Sequence, residues 1–180
     1  MSERKAFGFA RTACACAECV MNCQYLPGYL IPEDLPGLAA ELGYDNWEKF
    51  AFENLAASPG ATVLTREGDV LQIPTLVPQR QTNGACKFLT ADQRCQVHAV
   101  KGYGCAYFDC HQSRAEADER SLQGLHAIAQ DWAMHGMYAH LWLLLDAHGI
   151  RAVPPLEAKA RLRAAAALQA SETVCPALRA

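Results

Sequence analysis

Eight of the chain's nine cysteines are crowded into two short stretches, and this constrains the fold more than any other feature. Gly84 to Cys110 carries Cys86, Cys95, Cys105 and Cys110, and CACAECVMNC near the start carries Cys14, Cys16, Cys19 and Cys23. Thiols at this density, without a secretion signal, read as metal ligands rather than as disulfides. A thiolate is a soft donor, and four of them in a tetrahedron suit zinc or the iron atoms of an iron–sulfur cluster. The two groups are therefore expected to meet in the fold and hold a metal centre, with all eight cysteines as candidate ligands. They supply enough sulfur for two four-coordinate sites, or for one cluster with thiols to spare. Cys175 stands alone in the tail and is expected to be an ordinary thiol.

Within the first group, Cys16, Cys19 and Cys23 are spaced by three and four residues, so one helical turn places all three on a face. Cys14 reaches the same centre only from an extended lead-in. Residues 25–36, punctuated by Pro27, Gly28, Pro32 and Pro36, read as a loop crossing the surface. A short helix is predicted over Asp34 to Leu42, stopped by Gly43. A second follows, capped by Asp45 with Glu48 in a capping box, and runs through Leu55 until Ser58-Pro59-Gly60 ends it. Ala61 to Ile73 has β-branched residues around Arg66-Glu67-Gly68-Asp69 and predicts a β-hairpin, bounded by breaks at Pro74 and Pro78. Lys87 to Leu89 and Gln96 to Val97 predict a second small strand pair. Ser113 with Glu116 is another capping box, and the apolar spacing from Leu122 to Leu141 predicts one long helix reaching Gly149. An alanine-rich helix is expected from Pro155 to about Ala170.

Composition matters chiefly for what it excludes. A net charge of −3 gives no footprint for nucleic acid, which needs clustered Lys and Arg. The N-terminal stretch is interrupted by Arg11 and lacks an apolar core for a signal peptide, and the run at Leu141 to Leu145 is too short for the roughly 20 apolar residues of a membrane span. These features predict a cytoplasmic protein with no membrane partner. Among the six histidines, His98 and His111 lie within or beside the cysteine stretch and are candidate ligands or hydrogen-bond partners of ligands. His126, His135, His140 and His148 are expected to be structural or exposed. The signatures GxSxG, GxGxxG, HExxH and the P-loop are absent, and no nucleophile with a base beside it stands out, so no catalytic residue is assigned.

The cysteine pattern resembles that of the YkgJ-type cysteine-cluster family, described as a zinc- or iron-chelating domain. The family's first motif resembles Cys-x2-Cys-x2-Cys-Cys, and Cys16, Cys19 and Cys23 match its first, second and fourth cysteines. Asn22 stands at the third, and Cys14 is the candidate to compensate. GACKFLTADQRCQV is similar to the second half in Cys86, Phe88, Leu89, Cys95 and Val97, and Cys105 and Cys110 match the last pair. His98 replaces a tyrosine of the pattern, and Lys101-Gly102 replaces Arg-Pro. The resemblance implies metal or cluster binding. The pattern also resembles the cysteine cluster of flagellin lysine N-methylases, from which no activity is carried over.

The expected architecture is one mainly helical domain with a small β-hairpin, centred on a metal–thiolate cluster. Residues 1–112 would form the metal-binding region, 113–150 a long helix packed on it, and 151–180 a C-terminal helix and tail. The surplus of sulfur over one zinc site points first to a [4Fe–4S]-type cluster acting in redox chemistry, electron transfer or support of a partner enzyme, with a protein partner to match. A zinc-binding structural or interaction module is the alternative, and a metal-dependent enzyme with His98 or His111 near an open position is the third reading.

Overall fold

The structure, a computed structural model, describes residues 7–12, 14, 16–64 and 67–173; Cys175 lies outside them. Among the described residues seven helices and one two-stranded antiparallel sheet follow in the order α1 (Ala17–Tyr25), α2 (Asp34–Glu41), α3 (Trp47–Asn54), β1 (Leu55–Leu64), β2 (Val70–Pro78), α4 (Tyr103–Ala106), α5 (Arg114–Ala133), α6 (Met137–Ala147) and α7 (Pro155–Thr173). The mainly helical α+β architecture with a cysteine cluster at its centre agrees with the sequence reading. No described helix is long and apolar enough to cross a membrane.

The core is built where the apolar faces of α2, α3, α5 and α6 close on the sheet: Leu35, Leu38, Phe50, Leu76, Ile128 and Leu141 are all essentially inaccessible to water. Residues 25–36 do not cross the surface as expected. Pro27, Leu30 and Ile31 are buried, and the segment threads the interior because Gly28 and Gly104 let two backbones touch. A Cβ on Gly28 would stand 2.3 Å from the Gly104 carbonyl carbon. The threaded backbone polar groups are satisfied in turn. Leu30 N–H donates to Leu76 O at 2.9 Å, Ile31 N–H to the buried Asp34 carboxylate at 2.9 Å, and the Tyr138 hydroxyl to Leu30 O at 2.7 Å.

Tyr138 also accepts from Leu76 N–H at 2.6 Å, so one hydroxyl ties α6 to both the threaded loop and β2. Replacing it by phenylalanine leaves a buried donor and a buried acceptor short of a partner. The expected cost is about 2 kcal/mol, since an orphaned buried group costs about 1–3 kcal/mol. At roughly 2–4 °C per kcal/mol for a chain of this size, the thermal midpoint of Tyr138→Phe should fall by about 4–8 °C. A midpoint equal to the wild type would refute the role given to this hydroxyl.

Several boundaries differ from the sequence reading for identifiable reasons. The cap of α3 is Asn46, whose side chain accepts from Lys49 N–H at 2.6 Å, rather than Asp45. The helix stops at Asn54, and Leu55 opens β1, which carries Ser58-Pro59-Gly60 as a bulge instead of a break. Gly60, at φ +75°, is the residue that can take that bulge, with its N–H on Ser58 Oγ at 3.2 Å. Pro74 and Pro78 lie inside β2. The second strand pair shrinks to single bridges, Leu89 with Cys95 and Arg80 with Cys86.

The capping box of Ser113 and Glu116 is present as expected. The long helix is not continuous: His135 turns left-handed at φ 52°, and α6 begins afresh at Met137. Asp131 drives the break. Its backbone carbonyl accepts from Gly136 N–H at 2.8 Å, and its carboxylate accepts from Ala139 N–H at 2.9 Å, capping the new helix at its positive end.

Residues 7–12, ahead of the first cysteine, are anchored to the second cysteine stretch. Phe7 stacks edge-on against Tyr103 at 5.0 Å, Phe9 against Tyr107 at 5.3 Å, and Thr12 N–H donates to Ala106 O at 2.7 Å. The N-terminal lead is thereby laid beside the last two cysteines of the second group.

Candidate metal centre

That docking is what lets the two cysteine groups meet. Thr12 Oγ donates to Asp109 Oδ2 at 2.7 Å and accepts from Cys14 N–H at 3.1 Å, while Asp109 Oδ1 accepts from His111 N–H at 2.9 Å. Asp109 therefore clamps the lead-in to the turn that carries Cys110. Cys16 Sγ stands 3.1 Å from Cys110 Sγ, and Cys19 Sγ 3.6 Å from it. With Cys14 they make four sulfurs that all lie within 4.8 Å of one another. Cys14, on the lead-in, is the fourth member of this set.

Four thiols this close cannot all be treated as neutral and independent. Cys16 is pulled down to about 6, first by the N–H of Cys19 and then by the Cys110 and Cys14 thiols. Cys110 is pushed up first by the bond to Cys16 and then by burial. Cys19 is raised by burial, against the N–H of Cys110 that faces it. Cys16 and Cys110 thus share one hydrogen bond between their sulfurs. A bound cation would displace the remaining protons, because a coordinating thiol is deprotonated outright.

The remaining four cysteines, Cys23, Cys86, Cys95 and Cys105, form a second neighbourhood. Cys86 N–H donates to Cys23 O at 2.8 Å, and the four thiols feel one another's charge. Burial is the first cause of a raised thiol in each, carrying Cys105 to about 12. Among the described residues no three of these four sulfurs meet the 4.8 Å limit of the first set, so this set is more open. A cavity of about 1000 Å³ lies alongside, with Cys14, Cys19, Cys23, Cys86, Cys95 and Cys105 all in its wall.

The structure thus brings all eight predicted cysteines to one region and sorts them three plus one and one plus three between the sequence groups. His98 reaches the cavity wall but stays exposed, with its pKa lowered by burial and by Lys101 and Arg11. His111 is exposed and meets the site only through its backbone. His140 pairs with Glu48 at 3.6 Å and His148 packs edge-on against Phe52, away from the sulfurs.

Two cations to which sequence reasoning gave no role lie near the second set. Lys101 is only 7 % exposed, with its ammonium on Thr12 O at 3.2 Å. Arg80 donates to Gly84 O at 2.9 Å and to Tyr25 O, the end of α1, at 2.7 Å. No family model, curated protein or solved structure matches the chain, so the chemistry of the site rests on its own atoms.

Proposed function

We propose that this is a metal-binding protein in which Cys14, Cys16, Cys19 and Cys110 hold a single tetrahedral ion, zinc or iron. The observation that carries the reading is the span of the four sulfurs. Metal–sulfur bonds of about 2.3 Å in a regular tetrahedron set sulfur pairs about 3.8 Å apart. The 3.1 and 3.6 Å separations and the 4.8 Å limit bracket that edge. A cubane cluster spreads its ligands wider, because each sulfur binds a different iron at a different corner.

For this set the single ion is therefore the better-supported form of the cofactor, ahead of the [4Fe–4S] cluster that the surplus of sulfur first suggested. The ion would staple the N-terminal lead to the end of the second cysteine stretch, and the role we assign is redox or structural support of a partner protein in a reducing compartment, where eight free thiols persist. The resemblance to the cysteine-cluster family points the same way.

The test is cobalt substitution in protein purified without oxygen. One equivalent of Co(II) should give the intense thiolate-to-metal absorption of a tetrahedral sulfur site, and Cys19→Ser should abolish it. Retention of that spectrum in the variant would overturn the assignment.

A further inference from the structure

We infer that Cys23, Cys86, Cys95 and Cys105 form a second, separate metal centre, and that it takes an iron–sulfur cluster. The backbone holds these cysteines side by side. Cys86 and Cys95 are held by their backbones: Cys86 N–H donates to Cys23 O at 2.8 Å, and Cys95 bridges to Leu89. Each of the first two cysteines also begins a tight turn, with Leu89 N–H on Cys86 O at 3.0 Å and His98 N–H on Cys95 O at 3.2 Å. The two turns are joined by Gln96 N–H on Phe88 O at 2.8 Å, which holds them side by side.

Charge and space agree. Four thiolates carry more negative charge than one cluster core neutralises, and an uncompensated buried charge is costly. Buried Lys101 stands in the wall of the same cavity, and Arg80 donates to Gly84 O, two residues before Cys86. The wider spread of the sulfurs and the adjoining cavity of about 1000 Å³ leave room for more than one metal atom with bridging sulfide. The two centres share α1: Cys19 serves one and Cys23 the other, four residues and about 6 Å apart along the helix axis.

The experiment uses the full chain reconstituted without oxygen with ferrous iron and sulfide, alongside Cys19→Ser and Cys95→Ser. The expected result is acid-labile sulfide and visible absorption in the wild type and in Cys19→Ser, and loss of both in Cys95→Ser, which keeps the single-ion spectrum with Co(II). Absence of sulfide in the wild type, or its survival in Cys95→Ser, overturns the second centre while leaving the first untouched. If Cys95→Ser does not fold, Lys101→Gln replaces it, since Lys101 is not a ligand. A cluster beside this residue becomes harder to reduce when the charge is removed, and an unchanged reduction potential overturns the proposal.

Discussion

Cys110→Ser should yield a protein that has lost its single tetrahedral ion and melts far below the wild type. Cys110 is the only member of its set that comes from the second cysteine group, and its sulfur stands 3.1 Å from Cys16 and 3.6 Å from Cys19. Structural zinc binding is worth about 10–16 kcal/mol in small domains near neutral pH, and it is folding free energy when the site is absent from the unfolded chain. If the variant forfeits a third of that, roughly 3–5 kcal/mol, the midpoint falls by about 6–20 °C at roughly 2–4 °C per kcal/mol. The diagnostic comparison is with wild-type protein stripped by a chelator. The two should melt together, because both lack the same metal tie between the cysteines of the lead-in and Cys110. A variant with full metal content and the wild-type midpoint would remove the foundation of the proposed function.

Gly28→Ala is the second large effect expected, and it acts without touching a ligand. Its added methyl would meet backbone on every side: 2.3 Å to Gly104 C, 2.5 Å to Gly104 O and 2.7 Å to Cys105 N. A flexible side chain could rotate away, but these atoms belong to the crossing of two chains, one of which is fixed by Gly104 N–H on Tyr29 O at 2.8 Å. Overpacking of a rigid interior costs about 1–3 kcal/mol and occasionally more, and backbone on backbone belongs at the upper end. Calorimetry should show a midpoint lowered by roughly 6–12 °C, taking about 3 kcal/mol at 2–4 °C each. The separation of Cys105 from its neighbours should also cost labile sulfide while the Co(II) signal of the first set persists. A variant with the stability and sulfide of the wild type would refute the crossing as described.

What was legible in the sequence was local or compositional. The capping box at Ser113 needs only a hydroxyl and a carboxylate three residues apart, and it formed. The meeting of the two cysteine groups followed from the lack of another soft-metal use for eight thiols. Which sulfurs share a centre was not legible, because spacing inside a group says which side chains point alike and nothing about what is opposite them. Cys23 has the same helical phase as Cys16 and Cys19, yet the chain that returns to it brings Cys86 rather than Cys110.

The prolines misled for a different reason. Pro59, Pro74 and Pro78 mark breaks in a wide sheet, but a two-stranded sheet consists only of edges, where a missing N–H costs little. Asp131 broke the long helix through contacts at Gly136 and Ala139, a reach that apolar periodicity does not register. Lys101 was noted in sequence only as a departure from the Arg-Pro of the pattern: a lysine before a glycine in a loop is ordinarily solvated, and its burial depends on Thr12, eighty-nine residues earlier.

The reciprocal sorting of the thiols has a consequence for how the molecule can be divided. A cut in the hairpin turn between β1 and β2 would leave an N-terminal piece with Cys14, Cys16, Cys19 and Cys23 and a C-terminal piece with Cys86, Cys95, Cys105 and Cys110. Each piece would own four thiols and neither would own a complete site, since each lacks one sulfur of the set it mostly supplies. On the proposed assignment the metals would act as a two-way clasp that rewards only the joined state.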